Sequence, residues 1–163
     1  MFKVSFKDDF MNVLTFQDKI TVVTLKGTCL MPDWWEHIPQ EINNWIWTHP
    51  SVDVHDCWSG GNLKLFIEAT AKAKCANGDS FDSELGKRIA EARAKIRIYK
   101  FMHTLCGKLC AYYYSLVYGK QGEATSNFVA PNDHTSIYLD EKKYKKLLDH
   151  ERHHLVELLQ KTV

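Results

Sequence analysis

The sequence predicts an α+β fold in one domain of residues 1–163: an antiparallel sheet of about four strands, a long helix and a C-terminal helix. Three observations lead to this prediction. Residues 1–75 contain apolar and polar side chains in alternation, the period of half-buried strands. Residues 80–118 and 139–161 carry apolar side chains at helical spacing. With 163 residues, 45% of them hydrophobic, the chain is long enough to bury a single core.

The sequence of the β region predicts two hairpins. Val13–Phe16 and Ile20–Leu25 flank a short polar turn, and the second strand has a pattern that allows it to run on to Leu30. Asp53–Trp58 alternates again, and a Ser-Gly-Gly-Asn turn connects it to a strand at Leu63–Lys74. In that last strand, Phe66 and the lysines share the side opposite the apolar residues.

A tryptophan-rich insertion separates the two hairpins, at residues 31–50. It holds four of the five tryptophans and three of the four prolines of the chain. This composition predicts a short helix inside an inserted loop. Two interpretations stay open: a lid that supplies a stacking face for a ligand, or a hydrophobic flap packed on the core.

The long helix is apolar on two faces, so it needs two neighbours. One stripe repeats at spacings of four and three, as in a heptad seam; its members are Leu85, Ile89, Ala92, Ile96, Tyr99, His103, Cys106, Cys110, Tyr113 and Val117. A second stripe lies beside it and consists of Ala90, Ala94, Ile98, Phe101, Leu105 and Tyr112. One neighbour can be the sheet and the other a second subunit. In the alternative, the C-terminal helix covers the second stripe within a monomer. We expect a homo-oligomer formed through the long helices.

Charge and cysteine content narrow the function class. The formal net charge of +1 gives no overall attraction to nucleic acid. The N-terminus lacks the apolar core of a signal peptide, and no apolar run approaches the roughly 20 residues that span a bilayer. We therefore expect a cytoplasmic protein with no membrane partner. The five cysteines are an odd number without metal-ligand spacing, which predicts reduced thiols, no metal site and no cofactor.

Candidate binding residues lie around the start of the long helix. Arg93 and Arg97 are four residues apart on its third face, so their guanidinium groups can clamp a phosphate or pyrophosphate. Asn77 and Asp79, in the turn before the helix, can read ribose hydroxyls or an amide edge, and Phe66 offers a flat face for a base. The alternative is a solvated charged face that binds nothing.

The same segment resembles a known family. Residues 71–82 read Ala-Lys-Ala-Lys-Cys-Ala-Asn-Gly-Asp-Ser-Phe-Asp, and residues 86–94 read Gly-Lys-Arg-Ile-Ala-Glu-Ala-Arg-Ala. This pattern is similar to one in small phage proteins. It consists of an alanine-rich strand, an acidic turn and a helix start of the form Gly-Lys-x-Ile-Ala-x-x-Arg-Ala. Among such phage proteins, the chain resembles the anti-Thoeris sponge proteins of the first described type. The resemblance covers roughly Leu63–Lys100.

The resemblance implies a function without catalysis. Proteins of that family sequester cyclic ADP-ribose isomers made by bacterial TIR-domain defence enzymes, assemble as dimers and hexamers, and in some cases take up cyclic oligonucleotides. For this chain it implies capture of such a signal, for example glyco-cyclic ADP-ribose, in the cytoplasm of an infected bacterial host, and so evasion of antiphage immunity. It assigns stacking to Phe66, polar contacts to Asn77 and Asp79, and pyrophosphate binding to Arg93 and Arg97.

Two other function classes have some support in the sequence. His150-Glu151-x-x-His154 matches the pattern of zinc proteases, in which two histidines bind the metal and the glutamate activates water. It predicts a metallohydrolase only if a third ligand arrives, and only nine residues follow His154. Basic residues and tyrosines on the long helix instead suggest a nucleic-acid-binding accessory protein.

Overall fold

The structure is a computed structural model that describes residues 2–16, 19–32, 35, 38–59, 62–74, 82–118 and 134–161. It confirms the predicted α+β fold. The elements follow the chain as β1 (Val4–Phe16), β2 (Ile20–Leu30), α1 (Gln40–Trp47), β3 (Asp53–Ser59), β4 (Asn62–Lys74), α2 (Ser83–Tyr118) and α3 (His134–Gln160). The short helix expected inside the insertion is α1, and the connection from 119 to 133 lies outside the described residues.

The four strands form one antiparallel sheet in the order β1-β2-β4-β3. β1 pairs with β2 in two stretches, because the register shifts between Phe6 and Met11. The prediction of a first strand at Val13–Phe16 was therefore too short. Polar residues 7–9 interrupt the alternation of apolar and polar side chains at the register shift. The first half of β1 therefore does not show the period of two by which a strand is recognised.

The two faces of the sheet have different surroundings. Side chains alternate along β2 and β4, and those on the inner face, such as Leu25, Leu65 and Ile67, are buried in the core with α2. The outer face carries polar pairs such as the salt bridge between Lys26 Nζ and Glu68 Oε2 at 2.9 Å. A sheet with one buried face and one more exposed, mixed face explains the alternating pattern in the sequence.

Helix α2 has the two neighbours that its sequence requires. Asp82 caps it as expected, since its Oδ1 accepts a hydrogen bond from the Leu85 backbone N–H at 2.9 Å. The stripe that includes Ala94 and Ile98 packs into the core with the sheet. The heptad-like seam is covered by α3, whose Leu158 packs in one cluster with Ile89 and Ala92 of that seam.

This packing removes the reason for which the sequence predicted a homo-oligomer formed through α2. α3 occupies the face of α2 that we expected a second subunit to cover, so α2 does not need another chain there. α3 begins at His134 rather than at 139, because Ile137 is already buried in the core, and the polar residues beside it conceal the first turn. A dimer or hexamer stays a prediction.

The first residues of the chain are held by α3. The Phe2 backbone N–H donates a hydrogen bond to Asp140 Oδ2 at 2.5 Å. The Tyr144 hydroxyl donates to the Phe2 carbonyl and accepts from the Val4 N–H, both at 3.0 Å. Phe2 and Tyr144 are buried. The start of β1 is thus joined to α3 by three hydrogen bonds, two of them buried.

Candidate functional site

The two predicted arginines meet at an open edge of the sheet. β3 pairs with β4 only as far as Glu68, so the backbone beyond it has no strand on that side. Arg93 Nη1 donates a hydrogen bond to the Lys72 carbonyl at 2.6 Å, and Arg97 Nη1 donates to the Thr70 carbonyl. The arginines therefore cover two backbone acceptors that β3 leaves unpaired, and these bonds fix the positions of both guanidinium groups.

Among the described residues, no carboxylate pairs with the positive charge of this arginine edge. Each guanidinium has five N–H donors, and the bond to a carbonyl uses only one of them. None of the salt bridges between described residues involves Arg93 or Arg97. The exposed side chains of Lys72 and Lys74 on β4 add to the positive potential. The edge can therefore bind an anion with several oxygens.

The remaining predicted ligand residues are not brought to this edge by the described part of the chain. Phe66 pairs with Thr28 on β2 and His55 on β3, on the outer face, whereas the arginines reach the edge from the inner side with α2. Asn77 and Asp79 lie outside the described residues. The stacking role of Phe66 and the polar roles of Asn77 and Asp79 stay predictions.

The tryptophan-rich insertion is anchored on α2 by an aromatic cluster. The Trp45 ring stacks on Phe101, with centroids 5.2 Å apart and planes inclined by 4°. His49 contacts both rings edge-on, at 5.0 and 5.2 Å, and Lys108 Nζ lies 5.3 Å from the Trp45 centroid. For these residues the insertion packs on the core, as the flap interpretation expects.

His49 is held in its neutral form in this cluster. Its Nδ1 accepts a hydrogen bond from the Ser51 backbone N–H at 3.2 Å, so that nitrogen carries no proton. Burial, and then the charge of Lys100, lower the pKa of His49 from its ordinary value of 6.5. Protonation would remove the acceptor for Ser51 and place a charge between two aromatic rings.

We expect the stability of the protein to decrease in mild acid because of His49. Since the folded-state pKa lies below 6.5, the unfolded chain binds more protons there. The contribution is fully present above the ordinary pKa and is lost as the pH falls through it to the folded-state value. Urea unfolding at about pH 7.5 and about pH 5.5 measures the loss, which His49→Gln should reduce. His55→Gln, at an exposed position, is the control; equal pH dependence in both variants would contradict the assignment.

The other side of the insertion forms a groove with β3. The groove has a volume of about 620 Å³ and is lined by Trp35, Ile38, Asn43, Trp47, Asp56, Trp58 and Leu63. The sequence alone does not connect these residues, although Asn43 and Trp47 are four apart on a helix and Asp56 and Trp58 are two apart on a strand. Those spacings place each pair on one side of its element, but they do not show that the two sides face each other.

The His150-Glu151-x-x-His154 pattern does not come together with a third ligand in the described residues. His150 is exposed on α3, whereas Glu151 is buried and lies near Lys95 and Tyr99. Within the described ranges, no group of three or more histidine, cysteine, aspartate or glutamate side chains is placed to hold a metal ion. The metallohydrolase hypothesis gains nothing from this arrangement.

Four cysteines in the described part of the chain have free thiols: Cys29, Cys57, Cys106 and Cys110. Burial raises the pKa of the Cys29 thiol to about 12 and that of the Cys110 thiol to about 11. A thiol with such a pKa carries almost no thiolate at neutral pH, so these two are poor nucleophiles. Cys75 lies outside the described residues.

Comparisons of the chain with known protein families, curated proteins and solved structures find no match in any of the three. None of the helices described here is long and apolar enough to cross a membrane. The assignment of function therefore depends on the chemistry of the described side chains and on the sequence resemblance.

Proposed function

We propose that this protein binds and sequesters a cyclic nucleotide-derived signal, a cyclic ADP-ribose isomer, without transforming it. The arginine edge carries the proposal: two guanidinium groups, each fixed by a β4 carbonyl and free of a carboxylate partner among the described residues. A cyclic ADP-ribose isomer has a pyrophosphate, whose oxygens accept the remaining N–H donors of Arg93 and Arg97.

The spacing of the two arginines supports a ligand with two adjacent phosphates. Side chains four apart on a helix have their Cβ atoms about 5–6 Å from each other. Their carbonyl partners, Thr70 and Lys72, are two apart on one strand, so both forks lie along the same edge. In this arrangement one guanidinium faces each phosphate. Because the carbonyl bonds already order the side chains, little conformational entropy is lost on binding.

The identity of the ligand follows from the resemblance at residues 71–94, and through it the biological role is interference with TIR-based antiphage defence. In this proposal the ligand leaves the protein chemically unchanged. That property separates a sequestering protein from a hydrolase that uses His150 and His154.

Isothermal titration with glyco-cyclic ADP-ribose tests the proposal. The wild type should bind, and Arg93→Ala/Arg97→Ala should weaken binding at least about 100-fold, since each charge-assisted hydrogen bond contributes about 1.5–3 kcal/mol. Arg88→Ala, at an exposed arginine of the same helix, is the matched control and should bind as the wild type does. Chromatography of the ligand after denaturation should recover it intact.

The arginines also cover backbone carbonyls, so a folding defect must be separated from a binding defect. Arg93→Lys/Arg97→Lys keeps both charges and one donor for each carbonyl but loses the planar forks. It should melt near the wild-type temperature and still bind more weakly. Absence of heat with the wild-type protein would overturn the cyclic ADP-ribose proposal. Salt-sensitive retention of DNA in its place would favour the nucleic-acid alternative.

A further inference from the structure

The groove between α1 and β3 is lined by residues of both elements and by three further apolar residues, called here its floor. Asn43 and Trp47 form the α1 wall, and Asp56 and Trp58 form the β3 wall. Trp35, Ile38 and Leu63 are the floor residues. Trp58 pairs with Leu63 of β4, which places it on the same side of the sheet as the floor.

The groove is preformed. The Trp47 indole N–H donates a hydrogen bond to Asn43 Oδ1 at 2.7 Å, which fixes that ring along the wall. α1 itself is anchored through the stacking of Trp45 on Phe101. In the floor, buried Trp35 contacts Phe2 edge-on with centroids 6.1 Å apart. A ligand would therefore enter a site whose walls are already in position.

Two large indole rings are left in contact with solvent at this groove. Trp47 is 42% exposed and Trp58 is 61% exposed, and both line the same cavity. Neighbouring exposed rings of this size are more common at binding sites than on inert surfaces. Their faces carry the negative part of the ring quadrupole, which attracts a cation.

The charge of the groove favours the same class of ligand. Asp56 is exposed, lines the groove, and takes part in none of the salt bridges between described residues. A carboxylate that lines the same groove as two indoles attracts a positive group and repels phosphate. A nucleotide that binds the arginine edge is thus the wrong ligand for this groove.

We propose that the groove between α1 and β3 is a second binding site, and that it takes a small organic cation of the quaternary ammonium class. Methyl groups around the nitrogen contact the Trp47 and Trp58 rings, and Asp56 balances the charge without a direct hydrogen bond. This inference is independent of the proposed sequestration, because it uses another surface and a ligand of opposite charge.

Titration with choline tests the proposal, with binding measured by tryptophan fluorescence and by calorimetry. The neutral isostere 3,3-dimethylbutanol has the same shape with carbon in place of nitrogen. Choline should bind to the wild type at least about tenfold more tightly than this isostere, because cation–π attraction and the Asp56 charge act only on the cation. Equal binding of the two compounds, or no binding of choline, would overturn the proposal.

Substitutions localise the site. Asp56→Asn and Trp58→Ala should each weaken choline binding at least about tenfold, and both positions are exposed, so the fold should tolerate them. Asp53→Asn is the matched control, since Asp53 is exposed on the same strand but pairs with Glu68 on the outer face. Choline binding that survives Asp56→Asn and Trp58→Ala would contradict the assignment. Arg93→Ala/Arg97→Ala should keep choline binding whatever its effect on the nucleotide.

Discussion

Replacing Phe101 by alanine is expected to lower the free energy of unfolding by about 3–5 kcal/mol, the usual loss for a large aromatic residue in a core. Phe101 is 0% exposed, and it belongs to the main hydrophobic core. Its ring stacks on Trp45 and receives the edge of His49, so the substitution also removes the surface on which α1 rests. The loss in the free energy of unfolding therefore has two causes: the cavity that the ring leaves and the release of the insertion from α2.

Urea unfolding of Phe101→Ala measures this effect. Phe101→Leu fills more of the cavity and should cost less, which separates the volume of the ring from its stacking. Leu139→Ala, on the 59% exposed Leu139 of α3, is the control and should change the stability by no more than about 0.5 kcal/mol. A loss below about 1 kcal/mol for Phe101→Ala would show that α1 is not anchored through this ring.

Tyr144→Phe should lower the free energy of unfolding by about 2–4 kcal/mol. The hydroxyl removed is the partner of both the Phe2 carbonyl and the Val4 N–H. The ring stays in place, so the core keeps its apolar volume. Two backbone groups next to the core lose their hydrogen bonds, and each costs about 1–3 kcal/mol when it stays unsatisfied.

The same substitution at an exposed tyrosine provides the control for Tyr144→Phe. Tyr138 lies on α3 with 43% exposure, and its ring contacts Lys142 Nζ at 4.5 Å, a contact that phenylalanine retains. Tyr138→Phe should be nearly neutral. Hydrogen exchange of the Val4 amide should accelerate in Tyr144→Phe and not in Tyr138→Phe. Equal stability of the two variants would contradict the role given to the Tyr144 hydroxyl.

The parts of the fold that the sequence predicts are those in which one period continues without interruption. β4 alternates over its full length, and α2 starts at the cap that Asp82 provides. The first half of β1 could not be found, since its register shift breaks the alternation. The role of α3 was also open, because a stripe of small and apolar residues on α2 fits a neighbouring helix from the same chain or from another.

The candidate site, like the fold, was predictable from the sequence only in part. Spacing alone predicted that Arg93 and Arg97 share a helix face. Their bonds to Thr70 and Lys72 could not be predicted, because they depend on where β3 stops along β4. The groove was missed for a similar reason. Its two walls come from α1 and β3, and only the packing of the insertion brings them together.

The hydrogen bonds between the start of β1 and α3 also constrain when the protein can finish folding. The bond from Phe2 to Asp140 joins residues 138 positions apart, and the bond from Tyr144 to Phe2 joins residues 142 apart. During synthesis, the β-strands leave the ribosome long before α3 does. The start of β1 therefore stays undocked until α3 has been translated. Contacts of such long range slow folding, so this core closes only after α3 has left the ribosome.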